Sequence, residues 1–566
     1  MLTSIRLRNL KAWEDSGDIA LAPLTLLYGA NGAGKSSIAH ALQALRSVLA
    51  TDITRPDAVA DAVPAAQFLD VVRDHDPLRR IGIDLGWRDA AQDATQRLSL
   101  TLGLDDQGRS RLFAVDGQSG GTATPATRLP GLVASARDAI GRFSHLGPLR
   151  ARPRRRYPIP RHPPRDVGSR GQLAIAAMAA ADAAGRRLAA RADAAPQGFV
   201  RFIAERLSRL GLIDDLTLAT DHGAGGDGLV VRVTGRAGGP AVSLADAGFG
   251  VSQILPAAVA AFHVPAGTTL WMEQPELHLH AAAQTALGDL MVDAVSAWEN
   301  GRPRAVQIIL ETHSEALLNR IQRRIAEGML AADQLAVHWC PGTVPATIEQ
   351  LHIDETGEIL NWPDGVFGDE MAELTARAMA TARRRTQPRK AVAHDRAPPP
   401  RIIDTNVMLI ANNAHADVGA ECVAACAVAL QAVMANGRVV VDDGWSVIEE
   451  YSHKLRPNRG KGAGDVFLKW LLRQAGNPDR VEQVTITPDA TRGWAEFPDD
   501  PALARFDPPD RKFVAMAVAH PDHPPILQAA DSKWLDWAPD LAHHGVVVRF
   551  ICEAEARRFH QNKFGR

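Results

Sequence analysis

Two groups of residues in this chain have the types and spacing to do phosphate chemistry. The first is Gly29-Ala30-Asn31-Gly32-Ala33-Gly34-Lys35-Ser36, which fits G-x-x-x-x-G-K-[ST]. It sits between an apolar run, Leu24 to Tyr28, and a helical pattern from Lys35 to about Leu49, the context this motif requires. There, glycines let backbone N–H groups curl around phosphates, Lys35 reaches the outer phosphates, and the Ser36 hydroxyl ligates Mg²⁺ at a helix N-terminus. Asn31, Gly32, Gly34 and Ser37 complete the expected cradle. Much later, Leu270-Trp271-Met272-Glu273-Gln274-Pro275-Glu276 and then Leu310-Glu311-Thr312-His313-Ser314 read as apolar strands ending in polar residues. Glu273 is placed to hold Mg²⁺ through its water shell, and His313 to sense the terminal phosphate. Asp246-Ala247-Gly248-Phe249-Gly250-Val251-Ser252-Gln253 is a glycine-rich turn opening a helix, which alone is also an ordinary helix start.

The second group is acidic and C-terminal. Asp404 follows the strand-like Ile402-Ile403, Glu449 and Glu450 open a helical pattern, Asp507 and Asp510 precede another, and Asp531 follows Ile526-Leu527-Gln528-Ala529-Ala530. Parallel strands deliver their terminal residues to one edge of a sheet, so Asp404 and Asp531 are expected to converge there with the helix-start acids. Clustered hard oxygen ligands suit Mg²⁺ or Mn²⁺, which can activate water in phosphodiester cleavage. Viewed singly, Asp510 reads as a helix cap and Asp404 as a turn residue.

The elements that must position these groups are α/β in both halves. Ile5 to Leu10 alternates as an edge strand would. Gly171 to Ala195 is Ala-rich with scattered Arg and Asp, predicting a long exposed helix. The runs Thr269–Met272 and Ala305–Leu310 bracket a helix and predict neighbouring strands of a parallel sheet. Between 378 and 400, Arg383, Arg384, Arg385, Arg389, Lys390 and Arg396 mix with Pro388 and Pro398 to Pro400, which predicts a basic, Pro-rich linker.

Composition narrows the class. At 566 residues the chain exceeds one core. Lys+Arg 63 against Asp+Glu 65, a net charge of -2, favours no nucleic-acid partner by itself. The densest basic run, Arg150, Arg152, Arg154, Arg155, Arg156, Arg161, Arg165 and Arg170 with Tyr157, suits either a phosphate backbone or internal pairing. Arg456, Arg459 and Lys461 form a basic loop near Glu450. Four cysteines, Cys340, Cys422, Cys426 and Cys552, without a C-x-x-C pair, argue against a disulfide framework or structural zinc and for a reducing, cytoplasmic setting. Cys422 and Cys426, at i and i+4, are expected to face a core; His278 and His280 lack a third zinc ligand and read as local structure. No apolar run reaches the ~18 residues of a membrane span.

Taken in order, the glycine-rich motif, His145-Leu146-Gly147-Pro148-Leu149-Arg150, the turn from Asp246 to Pro256, Glu273 to His280, Glu311 to Ser314 and Asn361-Trp362-Pro363-Asp364-Gly365 resemble the ABC-class AAA ATPases related to the overcoming-lysogenization-defect and SMC/RecF-like families. The resemblance is to the bacterial group with a DUF3696-type C-terminal segment. It implies an ABC-type head over 1–377 with a helical, Arg-rich insertion at about 145–210, and an ATP-glued homodimer or higher oligomer in which Gly250 and Ser252 face the partner's nucleotide. One departure stands out: Gln274 occupies the place of the water-activating carboxylate, and glutamine cannot accept a proton. Either Glu276 serves as base, or slow hydrolysis makes ATP a conformational latch.

Residues 401–566 resemble the PIN-domain nucleases, a small α/β/α fold with a parallel sheet. That resemblance implies Asp404, Glu450, Asp510 and Asp531 as metal-binding acids, with Asn406 buttressing Asp404. Glu449 remains an alternative to Glu450, and Asp507 to Asp510. Lys533 stands where such nucleases often carry an acid. Together the resemblances imply an ATP-gated endoribonuclease acting on tRNA or mRNA in antiviral defence, with a phage-derived trigger. A DNA nickase or repair factor, and a non-enzymatic ATP-dependent sensor scaffold, are the rival expectations.

Overall fold

The structure is a computed structural model that describes residues 1–53, 59–60, 62–89, 94–223, 226–235, 239–357, 359–361, 400–415, 417–455, 462–475 and 477–564. The chain divides into two compact units, the first ending at Asn361. The expected boundary at 377 and nearly all of the expected linker lie outside the described residues, as do Arg456, Arg459 and Lys461. Pro400, the last residue assigned to the linker, already pairs with Arg438 in a strand.

In the first unit the elements that frame the site are β1 (Leu2–Leu10), β2 (Leu24–Gly29), α1 (Lys35–Ala50), β3 (Ile81–Asp89), β4 (Phe143–Leu146), α2 (Ala174–Ala183), α3 (Phe249–His263), β5 (Thr269–Glu273), α4 (Ala281–Ser296), β6 (Gln307–Glu311), α5 (Glu315–Ala326) and β7 (Leu335–Cys340). Strands β7, β2, β6, β5 and β4 lie side by side in that order, all parallel, with Glu349–Leu351 antiparallel at the β7 edge. Every residue of β2 and β6 is buried, the reason their sequences read as continuous apolar runs and not as alternations. The predicted strand pair β5 and β6 is present, in register Glu273 to Glu311. Two charged strand ends are thereby forced side by side.

A second, antiparallel sheet contains β1 and β3, and its core packs with α1 around Trp13, Ile38 and Leu42. Here β1 is not an edge: β3 pairs with one side, while Trp13–Asp15 and Ile19–Ala20 pair with the other. Alternation reports a single buried face and says nothing about missing neighbours. The Ala-rich stretch also departs from expectation. Instead of a long exposed helix over 171–195 it forms α2, with Ala174, Ile175, Ala177, Met178 and Ala181 buried, packed on α3. Gly185 at φ 63 ends the helix region, and Arg187–Ala189 is a strand. Small side chains mark close helix packing here, which a solvent-facing reading overlooks.

The second unit contains β8 (Pro400–Ile403), α6 (Thr405–Ala411), α7 (Ala420–Asn436), β9 (Arg438–Asp442), α8 (Ser446–Leu455), β10 (Val481–Val484), α9 (Arg511–Ala519), β11 (Ile526–Gln528), α10 (Lys533–His543), β12 (Val548–Phe550) and α11 (Glu553–Phe564). The sheet order is β10, β9, β8, β11, β12, all parallel. Strand β8 is central, with β11 beside it, and one core surrounds Ile402, Val440, Phe467, Phe513 and Trp534. Cys422 on α7 is bonded to Cys552 ahead of α11, and Cys426 lies buried next to them with its Sγ 3.9 Å from that of Cys552. The expectation of no disulfide is therefore corrected: 130 residues of separation hid a pair that the fold brings to a Cα distance of 5.6 Å. Burial of Cys422 and Cys426 agrees with the i, i+4 reading.

Candidate nucleotide site and carboxylate cluster

The glycine-rich loop leaves β2 and enters α1. Gly34, the residue before the helix, has φ 88, and a Cβ there would stand 2.9 Å from the Trp13 indole nitrogen, so both conformation and space demand glycine. The indole in turn donates to the Gly34 carbonyl at 3.1 Å, bracing the loop from below. Lys35 is almost fully buried and its ammonium donates to the Gly29 and Ala30 carbonyls at 2.9 and 2.8 Å. Burial lowers its pKa, opposed by the nearby Glu311 carboxylate. Asn31 and Gly32 are exposed on the loop, whereas Ser37 is buried.

Ser36 donates to Glu311 Oε2 at 2.9 Å, not to Glu273. Glu311 closes β6, the strand between β2 and β5; the Leu310 to Ser314 motif alone suggests no role for it, and its signal is a charge at the end of an otherwise apolar strand. Burial and the neighbouring Glu273 push its carboxyl up to about 7, against the Ser36 hydrogen bond and Lys35. Glu273 instead meets His145 of β4, Nε2 to Oε1 2.7 Å. Its backbone carbonyl accepts from Arg150 at 3.1 Å. Gln274 adopts φ 44, and its amide donates to the Glu311 carbonyl at 2.8 Å.

Glu276 is buried and its Oε1 accepts from the His313 amide at 2.8 Å. Burial raises its pKa. One carboxylate oxygen thus holds the turn that follows β6, while Oε2 is buried without a hydrogen-bond partner among the described residues. His313 itself is exposed, and its pKa is lowered by partial burial and by Lys35, which places it beside the glycine-rich loop. The turn at Asp246 opens α3 as expected. Asp246 is held by Arg155 at 2.6 and 2.7 Å, and the buried Ser252 hydroxyl donates back to the Phe249 carbonyl at 2.8 Å. Gly250 packs near the His278 carbonyl. His278 stacks edge-on with Phe249, and His280 precedes α4, in keeping with a local structural role.

The basic run is largely consumed internally. Arg150 serves Glu273, Arg155 serves Asp246, Arg156 reaches Asp221, and Arg165 donates to the Gly141 carbonyl. Burial drops the Arg150 pKa to about 10. Tyr157 lies in a short strand paired with Leu229, and its hydroxyl accepts from the Arg154 amide. These contacts favour internal pairing over the nucleic-acid reading of this segment.

In the second unit Asp404 follows central strand β8 and is 1% exposed. Its Oδ1 accepts from the Asn406 amide at 2.8 Å, so Asp404 caps α6 where its sequence alone suggests a turn residue, and Asn406 supports it through backbone. Burial, then Asp510, Asp531 and Glu450, raise the Asp404 pKa well above the usual carboxylate range, so the four predicted acids share one edge of the sheet. Asp510 makes no side-chain cap to α9; burial, Asp531 and Asp507 push it up to about 6 while the Trp534 indole donates to it at 3.3 Å. Asp531 accepts from the Lys533 amide. Glu450 is turned inward and Glu449 outward. Two devices missed at the sequence level aim α8: Asp442 at the end of β9 accepts from the Ser446 and Val447 amides, and the Tyr451 hydroxyl donates to the Ile403 carbonyl.

Cations are built into this edge. Glu450 is paired with Lys512 and with Lys454, 3.2 Å away, and accepts from the Thr405 hydroxyl at 2.7 Å. Despite burial, these contacts hold its pKa below the usual value. Lys533 Nζ lies 2.7 Å from Asp507. Among the described residues, Cys422, Cys426 and Cys552 are the one group of three metal-ligand side chains whose ligand atoms all lie within 4.8 Å. The acids therefore share a field without closing to that distance.

Against this geometry, residues 145–319 match the family described as "AAA domain, putative AbiEii toxin, Type IV TA system", and residues 330–376 match a family described only as a protein of unknown function, DUF3696. No curated protein matches the chain. Solved structures similar to it include the SMC head domain from Thermotoga maritima, with TM-score 0.34, 12% identity, and coverage of 62% of this chain and 99% of that one. Another is the Smc head domain with an extended coiled coil bound to the C-terminal domain of ScpA, from Pyrococcus furiosus, with TM-score 0.35, 11% identity, and coverage of 62% and 96%. At these values neither bears on function. No helix among the described residues is long and apolar enough to cross a membrane. The AAA-family match and the glycine-rich loop at residues 29–36 make the first unit an AAA-type ATPase that binds ATP.

Proposed function

We propose that this chain is an ATP-gated, metal-dependent endoribonuclease whose first unit binds ATP with Mg²⁺ and whose second unit cleaves tRNA or mRNA. The observation that supports it is the convergence of Asp404, Glu450, Asp510 and Asp531 at one edge of a parallel sheet, felt as mutual repulsion by the buried Asp404. Hard carboxylate oxygens with raised proton affinity fit Mg²⁺ or Mn²⁺, since such an ion relieves the repulsion that burial intensifies. Asp404, Asp510 and Asp531 would hold it; the ion would supply charge at the scissile phosphate and an activated water. On this reading ATP joins two copies through their first units, with Gly250 and Ser252 near the partner's nucleotide, and the joined state alters access to the acids. The toxin named in the family description supports a toxin-type effector; a role in antiviral defence with a phage-derived trigger is what the resemblance implies.

A second reading, a non-enzymatic ATP-dependent sensor, is favoured by the lysines. Lys512 on Glu450 and Lys533 on Asp507 neutralise part of the cluster, as a partner-binding or purely structural network would. Incubating the full chain with total tRNA, mRNA and plasmid, with Mg²⁺ or Mn²⁺ and with or without ATP, separates the readings. Metal-dependent RNA cleavage lost in Asp404→Asn supports the nuclease. Cleavage of plasmid alone makes it a DNA nickase, and no cleavage under any condition leaves the sensor.

A further inference from the structure

The Ser36 hydroxyl identifies the carboxylate facing the nucleotide's metal ion. In a loop of this type that hydroxyl is itself a metal ligand, so the acid it points to borders the ion's coordination sphere. That acid is Glu311, 2.9 Å away, 4% exposed, at the end of the strand next to β2. Glu273 sits one strand further out and is engaged by His145. The two carboxylates are register partners, and the Glu273 charge adds to the rise in the Glu311 pKa, yet their hydrogen-bond partners differ.

The other candidates for water activation are less suited than Glu273. Gln274 cannot accept a proton, and Glu276 is buried holding the His313 amide. We propose that the two roles are displaced by one strand relative to the expectation from the motif: Glu311 faces the Mg²⁺ of bound ATP, and Glu273, oriented by His145, accepts the proton of the attacking water. In that step the water oxygen bonds to the γ-phosphorus, the bond from that phosphorus to the bridging oxygen breaks, ADP leaves with the electron pair, and the water's proton passes to the Glu273 carboxylate. The carboxylate regenerates by releasing the proton to solvent. This proposal rests on the nucleotide-site reading alone and is independent of the C-terminal acids.

The test uses the full chain with the near-isosteric variants Glu311→Gln and Glu273→Gln, probed with Mn²⁺ and a slowly hydrolysed ATP analogue. Mn²⁺ electron paramagnetic resonance reads the metal, and calorimetry compares nucleotide affinity with and without it. Glu311→Gln is expected to lose roughly 10- to 100-fold of the metal-dependent gain in affinity while binding metal-free nucleotide as the wild type does. Glu273→Gln is expected to keep the metal-dependent gain and the Mn²⁺ spectrum while losing turnover. In a Ser36→Ala background the Glu311→Gln loss should shrink, because both groups address one ion. Glu273→Gln losing the metal-dependent gain, Glu311→Gln retaining it, or fully additive losses with Ser36→Ala each overturn the proposal. Failure of the wild type to bind nucleotide at all would instead remove the ATPase reading beneath it. Melting curves guard against misfolding, and Glu311→Asp, which keeps the charge, should restore part of the metal effect.

Discussion

The two acidic sites solve the same electrostatic problem in opposite ways. In the first unit, Glu273 and Glu311 stand on adjacent strand ends, and their carboxylates meet an imidazole and a serine hydroxyl, with the Lys35 charge nearby. Burial first and the Glu273 charge second leave the Glu311 pKa at about 7. In the second unit, ammonium groups reach the acids directly, Lys512 at Glu450 and Lys533 at Asp507. Within the cluster, Asp404 and Asp510 have raised pKa values. A site held in repulsion awaits a cation from outside, whereas one already holding lysines must exchange or retain them. On the proposed reading, the first site would bind metal–nucleotide constitutively and the second would bind metal conditionally.

Breaking the first side gives the largest effect. Lys35→Ala removes the buried ammonium at the loop and should weaken ATP binding on the order of 100-fold or more, as loss of a charge-assisted phosphate contact in a buried site does; calorimetry measures it. On the second side, Asp404→Asn keeps the cap to the Asn406 amide while removing the buried charge. Cleavage should fall about 100-fold or more, yet the melting temperature should rise, since an isosteric neutral group no longer resists burial. A fall in melting temperature would mean that Asp404 is held by a cation already.

The lysines sharpen the contrast. Lys512→Met and Lys533→Met should each tighten Mn²⁺ binding at the second unit by roughly tenfold, about the worth of one removed competing charge in a partly exposed site. Unchanged Mn²⁺ affinity would show that the lysines lie outside the ion's path. The smallest effect concerns pH. Asp510 titrates near 6 in the folded chain against an ordinary 3.8, so between those values the folded state keeps a proton that the unfolded state has released. Stability from this group is thus highest below the lower value and declines as pH rises, by on the order of 3 kcal/mol across the window. Comparing melting temperatures of wild type and Asp510→Asn from pH 4 to 7 isolates it, and the variant should show the shallower decline.

Much of this was legible in the sequence because the physics was local. A glycine-rich turn between a buried strand and a helix states its own context, and the end of β8 announced Asp404. Periodicity could not show that β1 has neighbours on both sides, or that the alanines of α2 are packed and not solvated. Pairings distant in sequence were silent as well: Ser36 with Glu311, His145 with Glu273, Lys512 with Glu450, and Cys422 with Cys552. Glu311 was in view within its motif, but only the strand order β2, β6, β5 showed that it, and not Glu273, meets the serine. Likewise, the inward turn of Glu450 over Glu449 follows from Asp442 and Tyr451 anchoring α8, which no local pattern reveals.

The most direct test of a second cation site independent of nucleotide is Mn²⁺ binding to the full-length Lys35→Ala variant, followed by electron paramagnetic resonance without ATP. The account predicts protein-bound Mn²⁺ in Lys35→Ala that disappears when Asp404→Asn is added. Binding that survives Asp404→Asn, or no bound Mn²⁺ in Lys35→Ala, would contradict it.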